Sequence, residues 1–252
     1  MITQMVVTDL TRMQEGRVCV AGYDRSFKCI RPVLPPPGIH ETTLCSNGCA
    51  VVLPFAVVEY DLLLATPKPP HTEDHRYDPA SVRFVYQVDE SRRRMILDRT
   101  LFEGVSDIFE VPVCCEPGHY VKDGEGPRSL GTIRPKQIRG VWYAMSSAGK
   151  WNYRINFVDG TSAEFRLMVT DLAWRYYCDR RRDEGTSPQA IARGLATALR
   201  SRQVYLRIGL ARGWDKFPDR CYLQITGVYT FPDYLEGRTF ADLAPQAKPL
   251  SG

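Results

Sequence analysis

The sequence has no long run of apolar residues. Its longest apolar stretch covers residues 50–58 and is interrupted by Pro54, whereas a membrane-spanning helix needs about 20 consecutive apolar residues. Residues 1–5 continue directly into a strand-like pattern and carry neither a basic leader nor a signal-type apolar segment. These absences exclude a membrane-spanning helix, and we expect a cytoplasmic protein with no membrane partner.

Common catalytic signatures are also missing. The chain has no glycine-rich phosphate loop and no Gly-x-Ser-x-Gly nucleophile elbow, and histidine occurs only four times. Groups for acid–base chemistry are therefore few. We expect a binding protein rather than an enzyme, and we expect no cofactor.

Eight cysteines are present, and we expect free thiols because disulfides are rare in the cytoplasm. Zinc is normally held by four nitrogen or sulfur ligands, often from two close pairs. Five residues are weak candidates for such a site: His40, Cys45, Cys49, His71 and His75. An alternative function, a metal-dependent nucleic-acid enzyme, would use the loop of residues 71–75.

Positive charge is concentrated in the second half of the chain. Residues 127–220 contain 18 Lys or Arg and 8 Asp or Glu, a balance of +10, so the rest of the chain carries −6 within a total of +4. A basic module beside an acidic one indicates a polyanionic partner for the basic module.

The second half also shows a regular order of predicted elements. Period-two alternation predicts strands over residues 137–145, 150–158 and 163–169. Two helices follow, begun by the N-cap residues Asp171 and Ser187, and two strands complete the pattern near residues 204–210 and 221–229. Three strands, a helical insertion and two strands is the order of the OB-fold, a five-stranded barrel that binds oligonucleotides.

Two short strings recur along the chain. Residues 7–10 (VTDL) recur at 169–172, and residues 22–24 (GYD) are similar to residues 213–215 (GWD). The recurrence predicts a duplicated module. In the second module VTDL stands at the end of the third predicted strand. If VTDL marks the same place in the first module, that module begins at the end of its third strand, and its missing strands must come from residues 50–65 and 82–88. The recurrence therefore predicts a permuted first barrel.

Proline and glycine divide the chain into parts. Residues 116–128 contain three glycines and two prolines and form the best predicted boundary. We expect an N-terminal OB-like module with proline-rich loops over residues 1–120, a basic C-terminal module over 127–240, and a frayed tail over 241–252.

Cations that follow phosphates and aromatic rings that stack on bases together hold single-stranded nucleic acid. Such residues cluster in the predicted loop 211–220, in the strand before it, in the hairpin near residue 150 and in the first module. The candidates for nucleic-acid contact are Arg212, Trp214, Lys216, Arg220, Arg207, Lys150, Trp151, Tyr153, Arg154, Tyr23 and Arg25. The competing interpretation is that the aromatic side chains fill the barrel; of the neighbours Trp142 and Tyr143, only one can face the core.

Three stretches resemble a known family: residues 29–33 (CIRPV), 130–135 (LGTIRP) and 222–229 (YLQITGVY). In these the chain resembles bacterial dual OB domain-containing proteins, which are associated with nucleic-acid modification or defence loci. Together with the pattern above, the resemblance implies a mainly β protein with some α, made of two OB-like five-stranded barrels, the second with a helical insertion between strands three and four.

The implied partner is nucleic acid, DNA or RNA, single-stranded or structured. The implied role is that of an accessory beside a nucleic-acid-modifying or defence enzyme. An alternative keeps the fold and changes the partner: the acidic first module docks onto a protein encoded nearby, and the chain acts as an assembly adaptor.

Overall fold

Five strands in the first half of the chain close into a barrel. The computed structural model describes residues 1–46, 48–116 and 118–244. In chain order the elements of this half are β1 (Ile2–Arg12), β2 (Arg17–Asp24), β3 (Cys29–Val33), β4 (Ile39–His40), a 3-10 helix (Glu41–Leu44), β5 (Cys45–Ser46), β6 (Cys49–Ala50), β7 (Ala56–Ala65) and β8 (Asp74–Gln87). β1 pairs with β2 and β7, β3 pairs with β2, and β8 pairs with β7 and, in parallel, with β3, which completes the ring.

A connecting segment leads from the first barrel to the second. It contains α1 (Glu90–Arg99), β9 (Leu101–Phe102), α2 (Val105–Phe109) and β10 (Tyr120–Lys122). The Asp89 side chain caps α1 by accepting a hydrogen bond from the backbone N–H of Arg92 at 2.8 Å. β9 and β10 then pair with strands of the second barrel, so the segment is built onto that barrel.

The second half of the chain contains the three strands, two helices and two strands that its pattern predicts, together with an earlier strand and a final short helix that the pattern does not predict. In chain order these elements are β11 (Leu130–Ile133), β12 (Gln137–Met145), β13 (Trp151–Val158), β14 (Glu164–Val169), α3 (Leu172–Asp183), α4 (Pro188–Arg200), β15 (Gln203–Leu210), β16 (Arg220–Phe231) and the final short helix α5 (Phe240–Leu243). Residues 241–243 of the predicted tail belong to that final helix, and residues 245–252 lie outside the described residues. The side chains of Asp171 and Ser187 cap α3 and α4, as predicted. None of the described helices is long and apolar enough to cross a membrane.

The first strand of each barrel serves two neighbours. β11 pairs with β15 while β12 pairs with β13, and residues 134–136, which include Pro135, separate these halves of one long strand. In the same way the start of β1 pairs with β7 and the rest pairs with β2. The remaining pairings, including the parallel pair β14–β16, repeat those of the first barrel. Each barrel therefore has the strand order 1-2-3-5-4-1 of an OB-fold.

The prediction of two OB-like barrels with a helical insertion in the second is confirmed, but the predicted permutation of the first barrel is wrong. β1, β2, β3, β7 and β8 follow one another in the same order as their counterparts in the second barrel. The permutation was predicted from recurring strings that occupy different places in the two barrels. Residues 7–10 lie within the first strand of one barrel, whereas residues 169–172 run from the third strand of the other into α3.

A buried ion pair joins the barrels. The guanidinium of Arg207, on β15, is fully buried and donates to the carboxylate of Asp9, on β1, at 2.8 and 3.0 Å. It also donates to the hydroxyl groups of Tyr23 and Thr132, at 2.6 and 2.8 Å. Burial alone would lower the pKa of Arg207, but the Asp9 carboxylate raises it well above its usual value. Both charges are thus compensated within the interface.

A second set of polar contacts lies at the end of this interface. Arg31, on β3, donates to Asp74 at 2.6 Å and to the hydroxyl of Ser129 at 3.2 Å. The carboxylate of Glu73 accepts from the backbone N–H of Ser129 at 2.6 Å and from its hydroxyl at 2.9 Å. Arg31, Ser129, Glu73 and Asp74 are all buried. The outward face of β2 and β3 is therefore covered by the second barrel.

Candidate nucleic-acid interface

The outward face of β12, β13 and β14 presents an exposed aromatic ring between cations. Alternation along these strands directs Tyr143, Tyr153 and their equivalents into the core, so their neighbours point outward. The outward residues that we call the Trp142 face are Trp142, Arg154, Asn156, Arg166 and Met168. Trp142 is 54% exposed, and the guanidinium of Arg166 lies 5.0 Å from the centre of its ring.

The register brings the two arginines of this face together. Trp142 is directly opposite Arg154, and Asn156 is opposite Arg166 on the next strand. Partial burial and the positive charge of Arg166 lower the pKa of Arg154, but an arginine stays charged at neutral pH. Within the described residues no carboxylate oxygen lies within 4.0 Å of either guanidinium. Both arginines are therefore without an ion-pair partner among the described residues, although Glu164 is exposed two residues before Arg166 on β14.

Helix α3 supports this face through the core-facing tyrosines of β12 and β13. The hydroxyl groups of Tyr143 and Tyr153 donate to the carboxylate of Asp179 at 3.0 and 2.6 Å, and Arg182 donates to the same carboxylate at 2.9 Å. Burial and this carboxylate raise the pKa of both tyrosine hydroxyls. Strands and helix are thus tied together beneath Trp142.

The loop of residues 211–219, between β15 and β16, is a folded turn with an exposed tip. A side chain at Gly213 would place its Cβ 2.2 Å from the carbonyl oxygen of Pro218, so only glycine fits here. Trp214 is 54% exposed and packs edge-on against Phe217, with ring centres 5.5 Å apart. The loop offers an aromatic ring and the exposed amine of Lys216.

Two arginines of this region hold the structure together. Arg212 forms an ion pair with Asp74 of the first barrel, although half of its side chain stays exposed. Arg220 lies between the rings of Phe217 and Tyr120, at 4.6 and 4.8 Å from their centres. Both therefore position the loop, and Arg212 also keeps a surface that a ligand can reach.

Three of the predicted contact residues are not accessible. Arg207, Tyr23 and Tyr153 are 0%, 6% and 4% exposed, and each makes the buried hydrogen bonds described above. A nucleic acid cannot reach them, and they are removed from the candidate set. Charge alone predicts Arg207 as a contact residue, but it lies in a buried strand of apolar neighbours.

The other predicted residues lie at the surface or at its border. Lys150 is exposed in the turn between β12 and β13, next to the Trp142 face. Trp151 is half-buried beneath Arg182, whose guanidinium is 4.6 Å from its ring centre. Arg25 is exposed on the first barrel and donates to Gln4 at 2.7 Å. Sequence reasoning missed Arg166 and left Trp142 undecided, although the alternation of β14 pairs Arg166 with the outward residues.

The zinc candidates do not come together. Nδ1 of His40 contacts the Thr42 hydroxyl at 2.9 Å, and Nδ1 of His75 contacts the Glu73 carbonyl at 2.8 Å. His71 is buried, with Nε2 3.9 Å from the Cys221 sulfur, while Cys45 and Cys49 lie on the paired strands β5 and β6. Among residues 1–46, 48–116 and 118–244, no three His, Cys, Asp or Glu side chains are placed to hold a metal ion.

The fold and the Trp142 face define a protein of two OB barrels, an architecture whose strand faces and loops commonly bind nucleic acids. A family model described as the dual OB-containing domain matches residues 4–228, a range that runs from β1 into β16. The chain therefore belongs to the dual OB-containing domain family, as its sequence resemblance predicts. A search of curated proteins finds no match.

Proposed function

We propose that this protein binds single-stranded nucleic acid on the Trp142 face of its second barrel, with Trp214 and Lys216 of the loop 211–219 as a second contact. Trp142 would stack on a base, while Arg154 and Arg166 would contact the flanking phosphates. The observation that carries the proposal is an exposed tryptophan beside two arginines that have no carboxylate partner among the described residues. Base stacking on an aromatic side chain contributes about 1–3 kcal/mol.

The test is a fluorescence-anisotropy titration of labelled single-stranded DNA and RNA of about 16 nucleotides, near the upper site size of one OB-fold. Trp142→Ala is expected to weaken binding about 5- to 150-fold, the equivalent of losing one stacked base. The matched control is Tyr86→Ala, which removes an aromatic side chain of the first barrel that is 44% exposed. Equal losses in the two variants, or no loss in Trp142→Ala, would contradict the assignment of the face.

We further propose an accessory role, in which the bound strand is presented to a nucleic-acid-modifying or defence enzyme. The scarcity of histidine, the absence of common catalytic signatures from the sequence and the resemblance to dual OB proteins support this role. It predicts that the purified protein leaves a labelled strand chemically unchanged while it alters the product distribution of its partner enzyme. A modified strand in the absence of any partner would contradict it.

A protein adaptor is the second candidate, and one observation favours it. Apolar side chains are exposed at two places on β7 and β8 of the first barrel: Phe84, Val85 and Tyr86 lie where β8 pairs with Val57 and Val58, and Leu63 and Leu64 lie towards the other end of β7. An adaptor would use the first of these places, and a photo-crosslinking residue at position 84 would then capture one defined protein that Val85→Glu loses. Binding of oligonucleotides at submicromolar affinity without such a partner would favour the first proposal.

A further inference from the structure

A cavity of about 350 Å³ lies where the two barrels and the connecting segment meet. It is lined by the turn between β2 and β3, the end of α1, β9 and the chain before β11. The residues that matter here are Phe27, Lys28, Glu73, Arg99, Phe102 and Arg128. None of them belongs to the Trp142 face. Cavities of this size at domain junctions commonly hold small ligands.

The turn between β2 and β3 is built so that Phe27 lines the cavity. Phe27 has a left-handed backbone with φ of 64°, which costs a bulky residue about 1–3 kcal/mol. The Asp24 carboxylate holds the turn by accepting from the backbone N–H groups of Ser26 and Lys28 at 2.8 and 3.0 Å. A strained conformation is thus maintained at the position that supplies an aromatic wall.

A guanidinium group lies close to each aromatic wall. The guanidinium of Arg99 lies 5.1 Å from the ring centre of Phe27, and that of Arg128 lies 5.2 Å from the ring centre of Phe102. Arg128 is fixed by the Glu110 carboxylate at 2.7 Å and by the Ile108 carbonyl at 2.9 Å. Its position is therefore independent of any ligand.

Two of the cavity's cations have no acidic partner among the described residues. In the part of the chain that the structure describes, no carboxylate oxygen lies within 4.0 Å of Lys28 or Arg99. The one lining carboxylate, Glu73, already accepts from Ser129 with both oxygens. Because Arg128 is paired with Glu110, the excess of positive charge comes from Lys28 and Arg99 against the carboxylate of Glu73, and this excess favours an anion.

We propose that this cavity binds a nucleoside 5′-phosphate, either free or at the end of a nucleic-acid strand. The aromatic walls suit a flat base, and Lys28 and Arg99 suit the phosphate, which accepts several charge-assisted hydrogen bonds. The site is distinct from the Trp142 face. Either site can therefore fail without the other.

Isothermal titration calorimetry tests the site in the Trp142→Ala variant, which removes the contribution of the strand-binding face. The variant is titrated with adenosine 5′-monophosphate, adenosine and inorganic phosphate. The nucleotide is expected to bind at least about tenfold more tightly than either fragment, since both walls contribute. An oligonucleotide with and without a 5′-phosphate, compared in the same variant, separates the two sources: a preference for the phosphorylated strand over the free nucleotide assigns the site to strand ends.

The Lys28→Gln/Arg99→Gln double variant is expected to lose about tenfold or more in nucleotide affinity. Phe27→Gly, which keeps the left-handed backbone accessible but removes the ring, is expected to lose affinity for the nucleotide but not for phosphate. Arg92→Gln, on the exposed side of the same helix, is the matched control and is expected to bind normally. The proposal is overturned if neither the nucleotide nor the phosphorylated end binds, if phosphate binds as tightly as the nucleotide, or if the double variant equals the control.

Discussion

The two barrels share one strand order but use the same surface differently. In the first barrel the outward face of the second and third strands is buried, and Tyr23 and Arg31 on it contact the second barrel. In the second barrel the corresponding surface, on β13 and β14, is open and carries Arg154 and Arg166, with Trp142 beside them on the first strand. The OB-fold thus supplies one assembly surface and one free surface within a single chain.

Charge compensation follows the same division. Arg31 and Arg207 in the interface each have a buried carboxylate partner at 2.6–2.8 Å, whereas Arg154 and Arg166 on the free face have none among the described residues. A buried charge needs a partner to offset its desolvation, while an exposed cation is free to attract a polyanion. The presence or absence of a partner therefore distinguishes structural arginines from candidate contact arginines.

Removing the partner of Asp9 is the strongest way to break the interface. Arg207→Met is expected to lower the free energy of unfolding by about 3–5 kcal/mol, because it leaves a buried carboxylate uncompensated. Chemical denaturation monitored by tryptophan fluorescence measures the change. The Arg207→Met/Asp9→Leu double variant should recover part of the loss, and Arg193→Gln, an exposed arginine on α4, should cost less than about 0.5 kcal/mol. A loss below about 1 kcal/mol in the single variant would show that the ion pair does not hold the barrels together.

His71 gives the interface side of the molecule a pH dependence. Burial, and then the charges of Arg31, Arg212 and Lys68, lower its pKa to about 2. The unfolded chain takes up a proton near pH 6.5 and the folded chain does not, so the contribution to stability is complete above pH 6.5 and is lost as the pH falls towards 2.

The stability of the wild type relative to His71→Leu should therefore fall by up to about 1.4 kcal/mol per pH unit below about pH 6.5. Urea unfolding of both proteins at several pH values between neutrality and mild acidity gives this difference, and the comparison cancels the titration of other groups. A difference that stays constant over this range would show that His71 takes up its proton in the folded protein at the same pH as in the unfolded chain.

On the free face, the arginine pair should set the salt dependence of binding. Arg154→Gln/Arg166→Gln is expected to weaken oligonucleotide binding about tenfold, or about 1.4 kcal/mol. It should also reduce the slope of log K against log salt by about 0.7 for each phosphate that is no longer neutralised. Arg193→Gln is the matched charge control. An unchanged slope would show that Arg154 and Arg166 do not contact the phosphates.

The smallest effect is expected for the loop between β15 and β16. Trp214 already packs against Phe217, so Trp214→Ala should weaken oligonucleotide binding by less than about 1 kcal/mol, or roughly fivefold. Competitive titration against the wild type resolves such a difference. A larger effect than that of Trp142→Ala would show that the loop, and not the Trp142 face, is the principal binding surface.

Much of the second barrel could be predicted from its sequence. Alternation located β12, β13 and β14, and the caps Asp171 and Ser187 located both helices, because these signals are local. The strand order of the first barrel could not be obtained in this way. The strand order depends on which distant strands pair. The two recurring strings predicted that the wrong segments of the two barrels were equivalent.

Burial of charged residues was the second failure, although a local signal existed. Arg207 lies within residues 203–210, and all of its neighbours from 204 to 210 are apolar or aromatic and buried. Arg31 lies within a similar short run. A single charge inside such a run predicts a buried ion pair, but its partner is on a distant strand. Trp142 and Tyr143 could not be assigned to faces because a register shift between Ile138 and Gly140 precedes them.

The shared carboxylate of Asp179 has a consequence for the speed of recognition. It receives hydrogen bonds from two strands of the face and from its own helix, and Arg12 of the first barrel lies 3.5 Å away. Strands held in this way need no ordering when a ligand arrives, so little conformational entropy is lost on binding. Association with a strand should then be limited by diffusion and electrostatic attraction rather than by a folding step.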